Sequence, residues 1–510
     1  MSQIKLRLSL SILHLLLVIN SYSNERKFSS NLLNNKGKLK ISGYIADKNA
    51  PNELTLFIWS DVYVKEKRMY LPHRTQKCLV VDGKFKAEID SISVNSILSI
   101  GWPNSNGELV EAINTEIAEN GDSIYIKLAN YKNDRLSTTF KGRGAEKYEC
   151  EYKMKEIWDK LYNGWINDSL KIPPTDPAKY DESLRALYNR ESVWHYCLQG
   201  QLNILNQFEN KMEQEDYNTL KTIVVLNCEY FKLKQLNQIL EYFHTTRGPD
   251  KCQEIDKISK KILLQTDFSA GDFENRQDYT KCLLERCKVE KILLNKPSVH
   301  EVIKLQYSNE LRDRLLFENI FINGWVWDSK IRDTIERESY KIVTYEKYRE
   351  LIKNEMDNHK IGAVVYDFSL PDSSGNIVRL SNFKGKIVFM DFWFVGCSGC
   401  ANYYNNVVSK VEEMLKDQKD VVFITICIDS KRSVWMKGLK LGKYTSDKAT
   451  NLYTPLGIND PLITQLSIAS YPHPILIDRD GRIISNSQKE LQANGAQGLL
   501  EKIKLALKKE

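Results

Sequence analysis

At 510 residues, with 42% apolar and 27% charged side chains, the chain has the composition of a folded multidomain protein, which excludes intrinsic disorder and collagen-like repeats. Globular domains of about 100–200 residues give an expectation of about three. The net charge of +7 is small for this length and no dense Lys/Arg block occurs, so composition offers no nucleic-acid or membrane-surface binder.

The first elements concern export. Lys5 and Arg7 form a short basic region, residues 8–19 are mostly apolar, and in Ser21-Tyr22-Ser23 the two serines provide small residues for cleavage before the polar Asn24, Glu25, Arg26 and Lys27. This pattern reads as a signal peptide over residues 1–23. No cysteine sits there to carry a lipid anchor, and no later apolar run approaches the roughly 20 residues needed to span a bilayer. The mature protein is expected to be exported to the periplasm or cell envelope, with no membrane span.

Residues 38–145 read as short strands and turns. Two-residue alternation runs through 39–45, 54–58 and 123–128, and Asp82-Gly83 between two apolar runs is a hairpin signal. A β-sandwich accessory domain is expected, with no paired carboxylates or histidine cluster suggesting a site. Residues 146–358 switch to helices, with apolar residues at three- and four-residue spacing over 182–209, 217–243, 279–294 and 299–320, broken at Pro173-Pro174, Arg247–Pro249 and Pro297. Within this helical domain residues 163–169 and 323–329 echo each other in Asn-Gly-Trp and Asp-Ser. Both are expected to be helix-end turns that seat Trp165, Trp325 and Trp327 on the bundle.

From residue 359 to 510 strand and helix alternate: a hairpin-like lead-in over 370–383, a strand at 386–392, a helix at 397–416, a strand at 421–428 and a helical stretch at 434–441. A strand at 475–478, the turn Arg479–Gly481, a strand at 482–485 and a helix at 497–508 follow. This order fits a mixed sheet covered by helices.

Ten cysteines are scattered along the chain, a pattern unlike the short, disulfide-dense scaffolds. Cys282 and Cys287 lie five apart on one expected helix, about 7.5 Å of rise and about 140° of rotation from each other, beyond disulfide reach. Cys427, inside an apolar run, reads as a small buried hydrophobe. Cys397 and Cys400 differ, because a strand delivers them to the start of a helix. There, free N–H groups and the helix dipole favour a thiolate, and the second sulfur is one turn away. By itself this spacing says redox or metal.

The surrounding motifs narrow the choice. Asp367–Leu370, Gly375–Lys386, Asp391–Trp393, Cys397–Cys400 and Tyr471–Gly481 together resemble the thioredoxin superfamily, and more closely the TlpA/ResA-like exported thiol–disulfide oxidoreductases with an AhpC/TSA-type lead-in. The layout of the whole chain resembles the multidomain members found in Bacteroidetes. The resemblance implies a C-terminal thioredoxin-like fold and a redox-active Cys397–Cys400 disulfide, with no metal or further cofactor. Cys397 is then the nucleophile, Cys400 the resolving thiol and Asp391 a buried proton acceptor for it. Pro472 matches the family's cis-proline, which with Tyr471, Trp393 and His473 is expected to meet substrate. Implied partners are protein disulfides or dithiols and a membrane electron donor; cytochrome c maturation is one setting in which such proteins act.

Three departures from the family pattern stand out. Gly396 replaces a tryptophan, removing an aromatic wall. Ser398-Gly399 replaces Gly-Pro, leaving Gly399 an N–H that is expected to face the Cys397 sulfur. His473 stands where a small or hydroxyl residue is usual, either near Cys397 or facing solvent. Two alternatives remain: an envelope scaffold with a secondary redox domain, and a peroxidase. Peroxiredoxins place Thr or Ser three residues before the reactive cysteine, where this chain has Phe394.

Overall fold

The computed structural model describes residues 37–508, apart from 47–50, 60–73, 91, 93–95, 104–108, 116, 133–134, 169–181, 183, 186, 188–191, 247–248, 266–275, 325–326, 430, 458–459, 467 and 469. The expected signal peptide lies outside the described residues. Among them, no helix is long and apolar enough to cross a membrane.

Eight strands open the fold: β1 (Leu39–Ala46), β2 (Glu53–Trp59), β3 (Arg74–Val81), β4 (Lys84–Ile89), β5 (Ile97–Pro103), β6 (Leu109–Thr115), β7 (Ser123–Lys132) and β8 (Arg135–Arg143). Asp82 and Gly83 both adopt positive φ, 51° and 73°, which is the turn geometry that joins β3 to β4 without splaying them. The expected sandwich is corrected here. The strands form one continuous sheet in the order β6-β5-β2-β3-β4-β1-β7-β8, curled as a half-barrel. The cause lies in β3, which pairs with β2 through its first residues and with β4 only through Val80 and Val81. One strand thus carries the sheet round the corner, so that its two halves face each other across the curl. Leu39, Leu54, Leu98, Ile124 and Phe140, from strands across the sheet, share one core inside the curl.

The helical region begins directly after β8: α1 (Ala145–Asp168), α2 (Val193–Asn206), α3 (Gln214–Thr246), α4 (Pro249–Gln265), α5 (Gln277–Leu293), α6 (Val299–Gln306), α7 (Asn309–Asn323), α8 (Ser329–Ile342) and α9 (Glu346–His359). Its junction with the sheet holds a buried lysine. Lys147 Nζ lies 3.1 Å from Glu119, 3.3 Å from Asp122 and 3.5 Å from Asp216, joining the carboxylates of the β6–β7 connection to one on α3. The single helix expected over 299–320 is two, because Tyr307 and Ser308 are extended and Asn309 has φ 54°, a left-handed conformation that asparagine tolerates. The echoing segments differ. Asn163–Asp168 is the end of α1, not a turn, whereas the second runs from the end of α7 to Asp328, which caps α8 by accepting the Ile331 N–H at 2.9 Å. Trp327 packs on the helical core; Trp325 and the side chain of Trp165 lie outside the described residues.

The last region is a five-stranded mixed sheet in the order β13-β12-β11-β14-β15, preceded by the hairpin β9 (Ser369–Pro371) and β10 (Ile377–Arg379). Every residue of β11 (Ile387–Trp393) is buried, as befits a central strand running parallel to β12 (Val421–Cys427) and antiparallel to β14 (His473–Ile477). β13 (Thr450–Tyr453) and β15 (Ile483–Ser485) are the edges. Val388, Met390, Ile475 and Ile477 face one core; Ile387, Phe389 and Leu476 face another, shared with Tyr403, Val411 and Leu499 of the covering helices. This domain is tied to the helical one: the Ser329 N–H donates to Glu490 at 2.7 Å, and Ser487 Oγ donates to the Trp327 carbonyl at 2.8 Å.

Candidate active site

Strand β11 ends at Trp393, and a short loop leads to Cys397, the N-cap of α10 (Ser398–Tyr403). The helix continues through a π turn at Tyr404–Val408 into α11 (Ser409–Met414). Cys397 and Cys400 form a disulfide, and the other eight cysteines remain thiols. The Cys397 sulfur accepts the N–H of Cys400 at 3.0 Å. That donor is Cys400, not the Gly399 expected from sequence. Cys397 is 6% exposed and Cys400 1%, while Gly396, Ser398 and Gly399 around them are exposed. The outer sulfur is therefore the approachable one.

Two contacts hold the loop. The Val395 N–H donates to Asp429 Oδ2 at 2.8 Å, and the Gly396 N–H donates to Tyr444 Oη at 2.9 Å. Gly396 has φ 96°, a conformation in which any side chain is strained, and this gives a local reason why no tryptophan stands there. Asp429 also accepts the Cys427 thiol at 3.2 Å, and burial raises the pKa of both groups.

Asp391 is buried within β11. Burial pushes its carboxyl up to about 8, partly offset by the backbone N–H groups of Phe392 and His473. Its Oδ1 has no hydrogen-bond partner among the described residues. Such a group is mostly protonated at neutral pH and keeps a minor ionised fraction that can take a proton from a neighbouring thiol. The Tyr471–Pro472 peptide is cis. A Cβ built on Gly399 would lie 3.5 Å from Pro472 Cδ and 3.7 Å from the Tyr471 carbonyl oxygen, so the proline loop rests against the dithiol turn. The Tyr471 ring meets Phe394 edge-on at 5.7 Å.

Cys397, Cys400, Tyr471 and Pro472 thus come together, with Asp391 beneath them in the sheet. Trp393 and His473 do not join that surface. Trp393 is fully buried, stacked on Tyr444 at 4.8 Å and covered by Gly438, so it is a wall behind the site and not a substrate contact. His473 is buried too, with its ring 6.4 Å from that of Phe392, whose side chain belongs to the Met390–Ile475 core. Strand alternation puts it on the sheet face opposite Asp391, away from both expected placements. Asp429 and Tyr444 were not legible beforehand, because each lies more than thirty residues from the loop it holds and neither belongs to a local motif.

A dithiol at a helix start, fed by the central strand of a mixed sheet and faced by a cis-proline loop, defines a thioredoxin-like thiol–disulfide oxidoreductase domain. Residues 385–483 match the thioredoxin-like family model. Among curated relatives, the thiol-disulfide oxidoreductase ResA of Bacillus cereus (strain ZK / E33L) is 27% identical over 154 residues, covering 29% of this chain and 82% of that protein. ResA of Bacillus anthracis is 28% identical over 157 residues, covering 29% and 82%. Among solved structures, the thioredoxin domain of a thiol-disulfide oxidoreductase from Bacteroides vulgatus is 26% identical, covers 28% of this chain and 96% of its own, and has a TM-score of 0.25. A thiol:disulfide interchange protein from Bacteroides sp. is also 26% identical, covering 29% and 90%, with a TM-score of 0.25. The C-terminal region is a thioredoxin-like protein-disulfide oxidoreductase domain.

Proposed function

We propose that this protein is exported and reduces protein disulfides in the cell envelope through Cys397 and Cys400. The observation that carries the reading is the pair itself: the less buried Cys397 beside the cis Tyr471–Pro472 loop, the more deeply buried Cys400 one turn on, and a buried carboxyl in the strand below. In the reduced protein the Cys397 thiolate attacks a substrate disulfide, forming a mixed disulfide and releasing one substrate thiolate. Cys400, giving its proton directly or through water to the ionised fraction of Asp391, attacks the Cys397 sulfur. The second substrate thiolate leaves, and the Cys397–Cys400 disulfide closes with two electrons transferred. Tyr471 and Pro472 present backbone to the substrate beside the reacting sulfur.

A membrane electron donor returns the pair to the dithiol form in an oxidising compartment. Apocytochrome c cysteines are one client class for such a reductase. Phe394, an apolar ring against Tyr471, supplies no hydroxyl to activate a peroxide, and this favours disulfide over peroxide chemistry. Insulin reduction by the wild type and its loss in Cys397→Ser test the activity, and clients trapped on Cys400→Ser in the native host test the setting. Equal insulin reduction by wild type and Cys397→Ser would exclude the mechanism.

A further inference from the structure

The surface around the dithiol is almost without charge. Residues 392–408 and 468–477, which form the end of β11, the dithiol turn, the following helix and the proline loop, contain no Asp, Glu, Lys or Arg, and His473 among them is buried. One flank differs. The helix α12 (Arg432–Leu441) and the turn after it carry Arg432, Lys437, Lys440 and Lys443 with no acidic residue between them. Lys437, Lys440 and Lys443 are exposed.

This stretch runs beside the loop that delivers Cys397. A Cβ on Gly438 would lie 2.8 Å from Val395 Cγ2, Tyr444 accepts the Gly396 N–H, and the Lys443 carbonyl accepts from Asn405 at 3.3 Å, one turn beyond Ala401 in the dithiol helix. The neighbouring acids leave the ridge largely uncompensated. Asp429 is turned inward onto Val395 and Cys427, Glu413 is paired with Lys448 at 2.7 Å, and Asp447 is exposed beyond the turn.

We propose that the Lys437–Lys440–Lys443 ridge docks an acidic segment flanking the cysteines of the substrate protein, a specificity that rests on the disulfide-reductase reading above. On an otherwise neutral rim, a one-sided positive field selects partners by charge and speeds their encounter. The chemistry is unchanged: the two thiols give two electrons and two protons to the peptide disulfide, and dithiothreitol restores them.

The test uses the reduced full chain and three disulfide-bonded peptides that differ only in Glu-rich, neutral or Lys-rich flanks. At about 20 mM salt the acidic peptide should show a KM about tenfold below the basic one, narrowing to under about twofold near 0.5 M salt as the charges are screened. The K437E/K440E/K443E variant, with its fold checked by circular dichroism, should invert the order. Equal KM values for acidic and basic peptides at low salt, or an acidic preference that persists in the triple variant, would overturn the docking assignment alone. The wild-type salt series decides the matter even if the variant does not fold. Reduction of none of the peptides would instead sink the reductase reading, and this inference with it.

Discussion

Replacing Asp391 by Asn removes one ionisable group and keeps an oxygen that accepts the Phe392 and His473 N–H groups. In the folded protein burial pushes the Asp391 carboxyl up to about 8, whereas in the unfolded chain it titrates near the ordinary value of about 4. Between these values the folded state holds a proton that the unfolded state has lost, so stability falls as pH rises through the window and levels off above it. At 1.36 kcal/mol per pKa unit, the wild type at pH 7 carries a penalty of up to about 4 kcal/mol relative to pH 4. Asn carries none. The variant is therefore expected to match the wild type near pH 4 and to exceed it by up to about 5 kcal/mol at pH 8. The measurement is urea unfolding of the full chain at several pH values, reading the transition that shifts when the Cys397–Cys400 disulfide is reduced. Disulfide reduction should slow in the same variant by about 10–100-fold, because Cys400 loses its proton acceptor. Parallel stability–pH curves for the two proteins from pH 5 to 9 would show that Asp391 is not the buried, raised-pKa acid described here.

Other outcomes follow from the packing. Lys147→Met leaves Glu119, Asp122 and Asp216 facing one another without their cation, and should cost about 3–5 kcal/mol at pH 7. Burial already raises Asp216 to about 6, so lowering the pH toward 5 should protonate it and recover part of the loss, as thermal unfolding would report. Gly438→Ala would bring a methyl within 2.9 Å of both Val395 and Trp393, so unfolding should show a loss of about 1–3 kcal/mol and a displaced Trp393 emission. Gly396→Ala should cost about 1 kcal/mol despite open space around its Cβ, because the loss comes from φ 96° alone; an unchanged melting temperature would contradict that backbone.

The chemistry of the dithiol was readable because its parts are local. A strand, two cysteines three apart and a helix start occupy one short stretch, and periodicity marks strand and helix directly. The turn at Asp82-Gly83 was equally plain, since both residues supply positive φ cheaply. Where the reading failed, the deciding contact came from elsewhere in the chain. One sheet instead of a sandwich depends on how β3 divides its pairing between β2 and β4. His473, expected near Cys397 or in solvent, stood ahead of the strand expected at 475–478, whereas the strand begins at His473 itself and pairing with Phe392 fixes it inside the sheet.

By itself, then, the sequence determined that a redox-capable cysteine pair stands at a helix start behind an apolar strand, with Asp391 in that strand and Pro472 just ahead of a later one. Tertiary structure decided which cysteine is the less buried, that one oxygen of the buried Asp391 has no hydrogen-bond partner among the described residues, and that Asp429 and Tyr444 hold the loop. It also decided that α12, which carries Lys437 and Lys440, packs beside the loop that delivers Cys397. The physical reason is that burial and field are sums over atoms brought near by the fold, whereas periodicity, capping and turn preference act between residues already close along the chain.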